Sequence, residues 1–182
     1  GFVSLNLKKG ETDDIFNEYI ASAENSSTSV EKIDNYKKAI ELKPEEFLPY
    51  QRLVEAMIED DVFSSDEVSV IRGYKTNIKA LSSDEEYPQL AYDIAKMYWS
   101  CYEKQSSENV NQNILNSAEW LDIVVEYKDF KNYKTASVMK KIAEYISSTQ
   151  QAFSQVDNEK NADDPKELFE DLKNMIIEIE HD

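Results

Sequence analysis

The chain has 182 residues, 41% apolar and 31% charged, which is long enough to bury a core and too hydrophobic to remain disordered. A net charge of −17, spread along the sequence rather than gathered in a tail, repels phosphate backbones and anionic lipid surfaces, so nucleic-acid binding is disfavoured. No apolar run approaches the ~20 residues that span a bilayer, and a single cysteine, Cys101, excludes an intrachain disulfide and a multi-cysteine metal site.

Glycine and proline are scarce and β-branched alternation is nearly absent, so the pattern predicts an all-α chain. Residues 1–11, beginning on Gly1 rather than Met, read as a leader or an appended remnant of a longer chain. Asp13 and Asp14 sit where the helix macrodipole favours acids, ahead of Ile15, Phe16, Tyr19, Ile20 and Ala23 at helical spacing, so a first helix is expected over about 12–24. The polar turn Asn25 to Ser29 follows, and Ser29 is expected to start a second helix. That helix carries Ile33, Tyr36, Ala39, Ile40 and Leu42 and ends before Pro44.

The third helix uses Leu48, Tyr50, Leu53, Val54, Met57 and Ile58, with Pro49 tolerated in a first turn whose amides lack intrahelical partners. The fourth places Val68, Val70, Ile71, Tyr74 and Ile78 inward. A fifth is expected from about Pro88 through Leu90, Ala91, Ile94, Ala95, Tyr98 and Tyr102. The sixth carries Ile114, Leu115, Ala118, Leu121, Val124 and Val125, and a seventh runs over about 133–153 on Ala136, Met139, Ile142, Ala143, Ile146 and Phe153. Asp164-Pro165 is a helix start, and Leu168, Leu172, Met175, Ile176 and Ile179 form a narrow apolar seam on an eighth, capping helix.

Shifting the chain by about 34 residues superimposes Phe16 on Tyr50, Tyr19 on Leu53, Ile20 on Val54, Ala23 on Met57, Tyr36 on Val70, Ala39 on Gly73 and Ile40 on Tyr74. The stretch Tyr36-Lys37-Lys38-Ala39-Ile40-Glu41-Leu42-Lys43-Pro44, followed by Tyr50-x2-Leu53-Val54-x2-Met57, resembles the second helix of a tetratricopeptide repeat and the first helix of the next. Ile94-Ala95-x2-Tyr98 opens a third such unit. Small residues at Ala39 and Gly73 are expected to let paired helices approach. Ile20 and Val54 stand where the family has Gly or Ala, the second unit lacks a closing proline, and the third has a longer loop.

A narrower likeness comes from Pro49-Tyr50 through Glu67, then Leu90 to Trp99 and Ser117 to Leu121. These strings are similar to helical-repeat regions C-terminal to the kinase domain of some membrane-anchored Firmicutes serine/threonine kinases. No kinase motif is present, so the resemblance implies a signalling context and an extracytoplasmic position beyond an anchor, with a cytoplasmic position as the alternative, and no catalysis.

Catalysis needs convergent acids, bases or nucleophiles. The sole histidine, His181, lies beside the C-terminus, which removes histidine triads and multi-histidine metal sites, and no glycine-rich phosphate loop exists. The acids between Glu59 and Glu67 lack the alternation and central glycine of a calcium loop, so they read as charge at helix termini. Cys101 reads as a buried structural thiol. No cofactor, metal or catalytic residue is therefore expected.

Tyr92, Lys96 and Trp99 share a stripe beside the core line of the fifth helix, and by repeat alignment Gln51 and Glu55 on the third helix face the same concave side. In tetratricopeptide-like arrays the first helix of each unit lines the groove. The resemblance therefore implies a protein or peptide partner, with Trp99 and Tyr92 as flat anchors and Lys96 as a charged contact. The expected architecture is an all-α, tetratricopeptide-like (TPR-like) superhelix of two to three hairpins over 12–156. An acidic joint and a C-terminal capping helix fill 157–182. The expected function is a non-catalytic binding or sensor module. The alternative is a structural scaffold that forms homodimers through the C-terminal amphipathic helix.

Overall fold

The computed structural model describes residues 8–60, 65–104 and 110–155, together with positions 170, 171, 174, 177 and 178. These residues form seven α-helices and no strand: α1 Lys9–Asn25, α2 Ser29–Leu42, α3 Leu48–Asp60, α4 Ser65–Leu81, α5 Glu86–Lys104, α6 Val110–Val124 and α7 Tyr133–Gln155. The all-α expectation holds. The seam Leu168, Leu172, Met175, Ile176 and Ile179, on which the capping helix and the homodimer rest, lies outside the described residues.

Helix ends follow local chemistry. α1 starts ahead of the expected point, inside the stretch read as a leader, because the Lys8 carbonyl accepts from the amides of Glu11 and Thr12 at 2.9 and 3.1 Å. α2 starts at Ser29 as expected, and the residue before it, Thr28, caps it, its hydroxyl accepting from the Glu31 amide at 3.3 Å. Ahead of α5, the Ser83 hydroxyl accepts from the Glu86 amide at 3.1 Å while the Glu86 carboxylate accepts from the Ser83 amide at 2.9 Å. This reciprocal pair satisfies two amides that the helix start would leave open, and it sets the entry two residues before Pro88.

The chain divides into two compact units, Gly1–Asp61 with Asp66–Ser82 and Val62–Ser65 with Ser83–Asp182. In the first, α1 packs on α2 and α2 on α3. Phe16, Ala23, Ile33, Ile40, Leu53, Val54 and Met57 are buried there, and Ala39 is fully enclosed. Lys43 closes α1 onto the end of α2 by pairing with Asp13 and by lying 5.0 Å from the centre of the Phe16 ring. α4 meets α3 through Tyr50, whose ring stands edge-on to Tyr74 with centroids 5.1 Å apart. The Tyr50 hydroxyl donates to the Pro44 carbonyl at 2.8 Å and accepts from the Asn77 side chain at 2.9 Å, so a fully buried phenol leaves no polar group unmatched.

Gly73 does not play the part its alignment with Ala39 suggests. It is exposed, and a Cβ built there meets nothing within 4 Å. α4 buries Ile71 and Ile78 instead, and Gly73, two residues beyond Ile71, falls on the opposite side of the helix. Gly73→Ala is therefore expected to raise the stability of the first unit by about 1 kcal/mol, because Ala restricts the unfolded chain without any steric cost. Thermal unfolding checks this, and a lowered midpoint would contradict it.

In the second unit α5 packs on α6 and α6 on α7. Small residues set the closeness of the first pair: Ala91, Ala95 and Ser117 are fully buried, and the Ser117 hydroxyl donates to the Ala95 carbonyl across the interface at 2.9 Å. Tyr87 and Tyr92 at the start of α5 meet Tyr127 and Phe130 of the α6–α7 turn edge-on, at 6.2 and 5.7 Å between centroids. Lys140 of α7 reaches Asp122 of α6 at 2.9 Å, and Cys101 is buried.

Candidate functional site

The helix pairing of the first unit builds a cleft of about 300 Å³ lined by Glu24, Lys32, Tyr36, Arg52, Glu55, Ala56 and Glu59. Each helix supplies side chains at helical spacing. Lys32 and Tyr36 are one turn apart on α2, while Arg52, Glu55, Ala56 and Glu59 follow one face of α3 for two turns. Glu24 comes from the last turn of α1. Ala56 is buried, and its short side chain leaves room where a longer one would stand.

Two ion pairs hold the walls. The Arg52 guanidinium donates to Glu55 at 2.8 Å along α3, and Lys32 donates to Glu59 at 3.2 Å from α2 to α3. The Arg52 pKa is raised, first by its hydrogen bond to Glu55 and also by Glu24 acting through space. Glu24 itself forms no ion pair among the described residues. Between these charges lies Tyr36, 4% exposed. Burial pushes its hydroxyl pKa up, Glu24 and Glu55 push it further, and Arg52 opposes them. Those four groups are therefore close enough to sense one another. The Tyr36 hydroxyl forms no hydrogen bond among the described residues.

Of the site residues expected from sequence, Glu55 lines this cleft. Gln51, one turn earlier on α3, is half-buried and is not among the lining residues. In the second unit, Lys96 is half-exposed on α5, 4.8 Å from the centre of the Tyr92 ring and 4.0 Å from Asp93. Tyr92 and Trp99 are 2% and 5% exposed, so they are buried in the second unit rather than presented as open flat anchors. Tyr92 is covered by Lys96 and by the Phe130 ring.

Sequence reasoning placed Tyr36 in the core, which its burial bears out, but missed that its hydroxyl end opens on a charged cleft. It also missed Lys32, Arg52, Glu24 and Glu59. The i, i+3 pair Arg52–Glu55 is visible in sequence, whereas the Lys32–Glu59 pair joins residues that only the packing of α2 on α3 makes neighbours. Among the described residues no group of three or more histidine, cysteine, aspartate or glutamate side chains is arranged to hold a metal ion, and no helix is long and apolar enough to cross a membrane. No family model matches the chain, and neither does any curated protein or solved structure.

Proposed function

We propose that the chain is a non-catalytic binding module, built on TPR-like helical hairpins, that takes up a protein or peptide segment at the α1–α2–α3 cleft. The observation that carries this reading is the cleft itself. It offers donors and acceptors of both signs on three packed helices, and the Lys32–Glu59 pair joins α2 to α3 beside it. The TPR-like part rests on the repeat offset, which pairs buried Phe16 with buried Tyr50 and buried Ala23 with buried Met57. The signalling context beside a kinase rests on sequence resemblance alone.

A peptide library spanning acidic, neutral and basic sequences, selected on the immobilised protein, tests the reading. It should yield saturable binders whose affinity Glu24→Ala combined with Glu55→Ala changes about tenfold or more, with helical content unchanged. No saturable binder, or binders indifferent to both substitutions, would overturn the proposal.

A further inference from the structure

The cleft has an uneven charge balance. Glu24, Glu55 and Glu59 face Lys32 and Arg52, which leaves one negative charge over, and both cations are committed to Glu59 and Glu55. The unmatched groups are thus an acid, Glu24, and the lone pairs of a phenol, Tyr36, that is more than nine-tenths buried yet lines an open cavity. The Tyr36 hydroxyl opens on this cavity, where solvent reaches it, and a ligand N–H entering the cavity can take the place of that solvent. The ligand that satisfies both groups carries a positive charge and N–H donors.

We propose that the cleft receives the guanidinium or ammonium group of an arginine or lysine side chain on a basic peptide segment. In this arrangement the Tyr36 hydroxyl accepts one N–H, and the carboxylate of Glu24 supplies the countercharge. An anionic ligand would have to share Lys32 or Arg52 with Glu59 or Glu55 and would meet the excess negative charge, whereas a cationic one finds Glu24 without an ion pair. The net charge of −17 attracts basic segments from a distance and repels acidic ones. A basic side chain also fits the size of the space, since the cleft measures about 300 Å³.

This inference rests on the peptide-binding reading above and can fail separately from it. Three end-blocked peptides, identical except for a central Arg, Gln or Glu, are titrated into the parent protein at low salt by calorimetry. The Arg peptide is expected to bind more tightly than the other two and to weaken as salt rises. Glu24→Gln should reduce its affinity about fivefold, the scale of a single exposed charge pair. Tyr36→Phe should also weaken it. Should Tyr36→Phe disturb the core, Glu24→Gln on the surface still decides the matter. If the Gln or Glu peptide binds as well as the Arg peptide, or Glu24→Gln leaves the Arg peptide's affinity unchanged, the cationic preference is wrong while peptide binding survives. If none of the three binds, both readings fall. If blocked free arginine competes at the same concentration as the Arg peptide, the peptide source is overturned in favour of a small amine.

Discussion

Raising the pH above about 10 is expected to destabilise the chain progressively, with tyrosinate absorbance growing as helical ellipticity falls. Burial is the leading cause that lifts the phenol pKa above its ordinary value of 10.0 at Tyr36, Tyr50, Tyr74, Tyr87 and Tyr127. The unfolded chain releases these protons from about pH 10 upward while the folded chain still holds them, so rising pH favours the unfolded state. The stability involved is fully present below about pH 10 and is lost as the pH climbs through the raised values. Each phenol that stays neutral adds a slope of at most about 1.4 kcal/mol per pH unit. Tyr36, Tyr50 and Tyr74 act together in the first unit. Lysines work in the same direction, because the pKa of Lys43 and Lys140 is raised by hydrogen bonds to Asp13 and Asp122, and those pairs are lost as the amines deprotonate. Tyrosines that ionise with ordinary pKa values while ellipticity stays intact would contradict the account.

Tyr50 is the side chain whose loss should cost most in the first unit. Tyr50→Ala removes a ring that is fully buried and packed on Tyr74, and an aromatic deletion of this kind costs about 3–5 kcal/mol. Tyr50→Phe keeps the ring and removes only the hydroxyl. The Pro44 carbonyl and the Asn77 amide then lose their shared partner, at a cost of about 1–3 kcal/mol. Denaturant unfolding of both variants measures the two contributions separately. A loss below about 1 kcal/mol for Tyr50→Ala would mean that the α3–α4 contact does not hold the unit together.

The helices were legible in the sequence because their apolar residues recur at helical spacing and their ends carry local signals. The span of α2 from the Asn25 to Ser29 turn to Pro44, and the buried line Ala136, Met139, Ile142, Ala143 and Ile146 of α7, could be read directly. The Ser83-x-x-Glu86 capping box was equally visible and would have placed the start of α5 correctly. What failed was inference by register. Gly73 aligned with Ala39 but faces solvent, because α4 turns a different side to its neighbours.

The expected anchors Tyr92 and Trp99 on α5 are buried for another reason. That helix buries Leu90, Ala91, Tyr92, Ile94, Ala95, Met97, Tyr98, Trp99, Cys101 and Tyr102, so it is enclosed on nearly every side. A stripe rotated off its core line is still inside, and a 3.6-residue period cannot distinguish a second buried face from an open one. The cleft was hidden because its chemistry is shared among three helices. Glu24, Tyr36 and Arg52 become one electrostatic group only after α1, α2 and α3 have packed.

Amide spectra of the isotopically labelled protein, recorded while the central-Arg peptide is added, test the placement of the binding surface most directly. The account predicts saturable shifts concentrated at Glu24, Lys32, Tyr36, Arg52, Glu55 and Glu59. Saturable shifts concentrated instead on α5 around Lys96, or on α6 and α7, would contradict it.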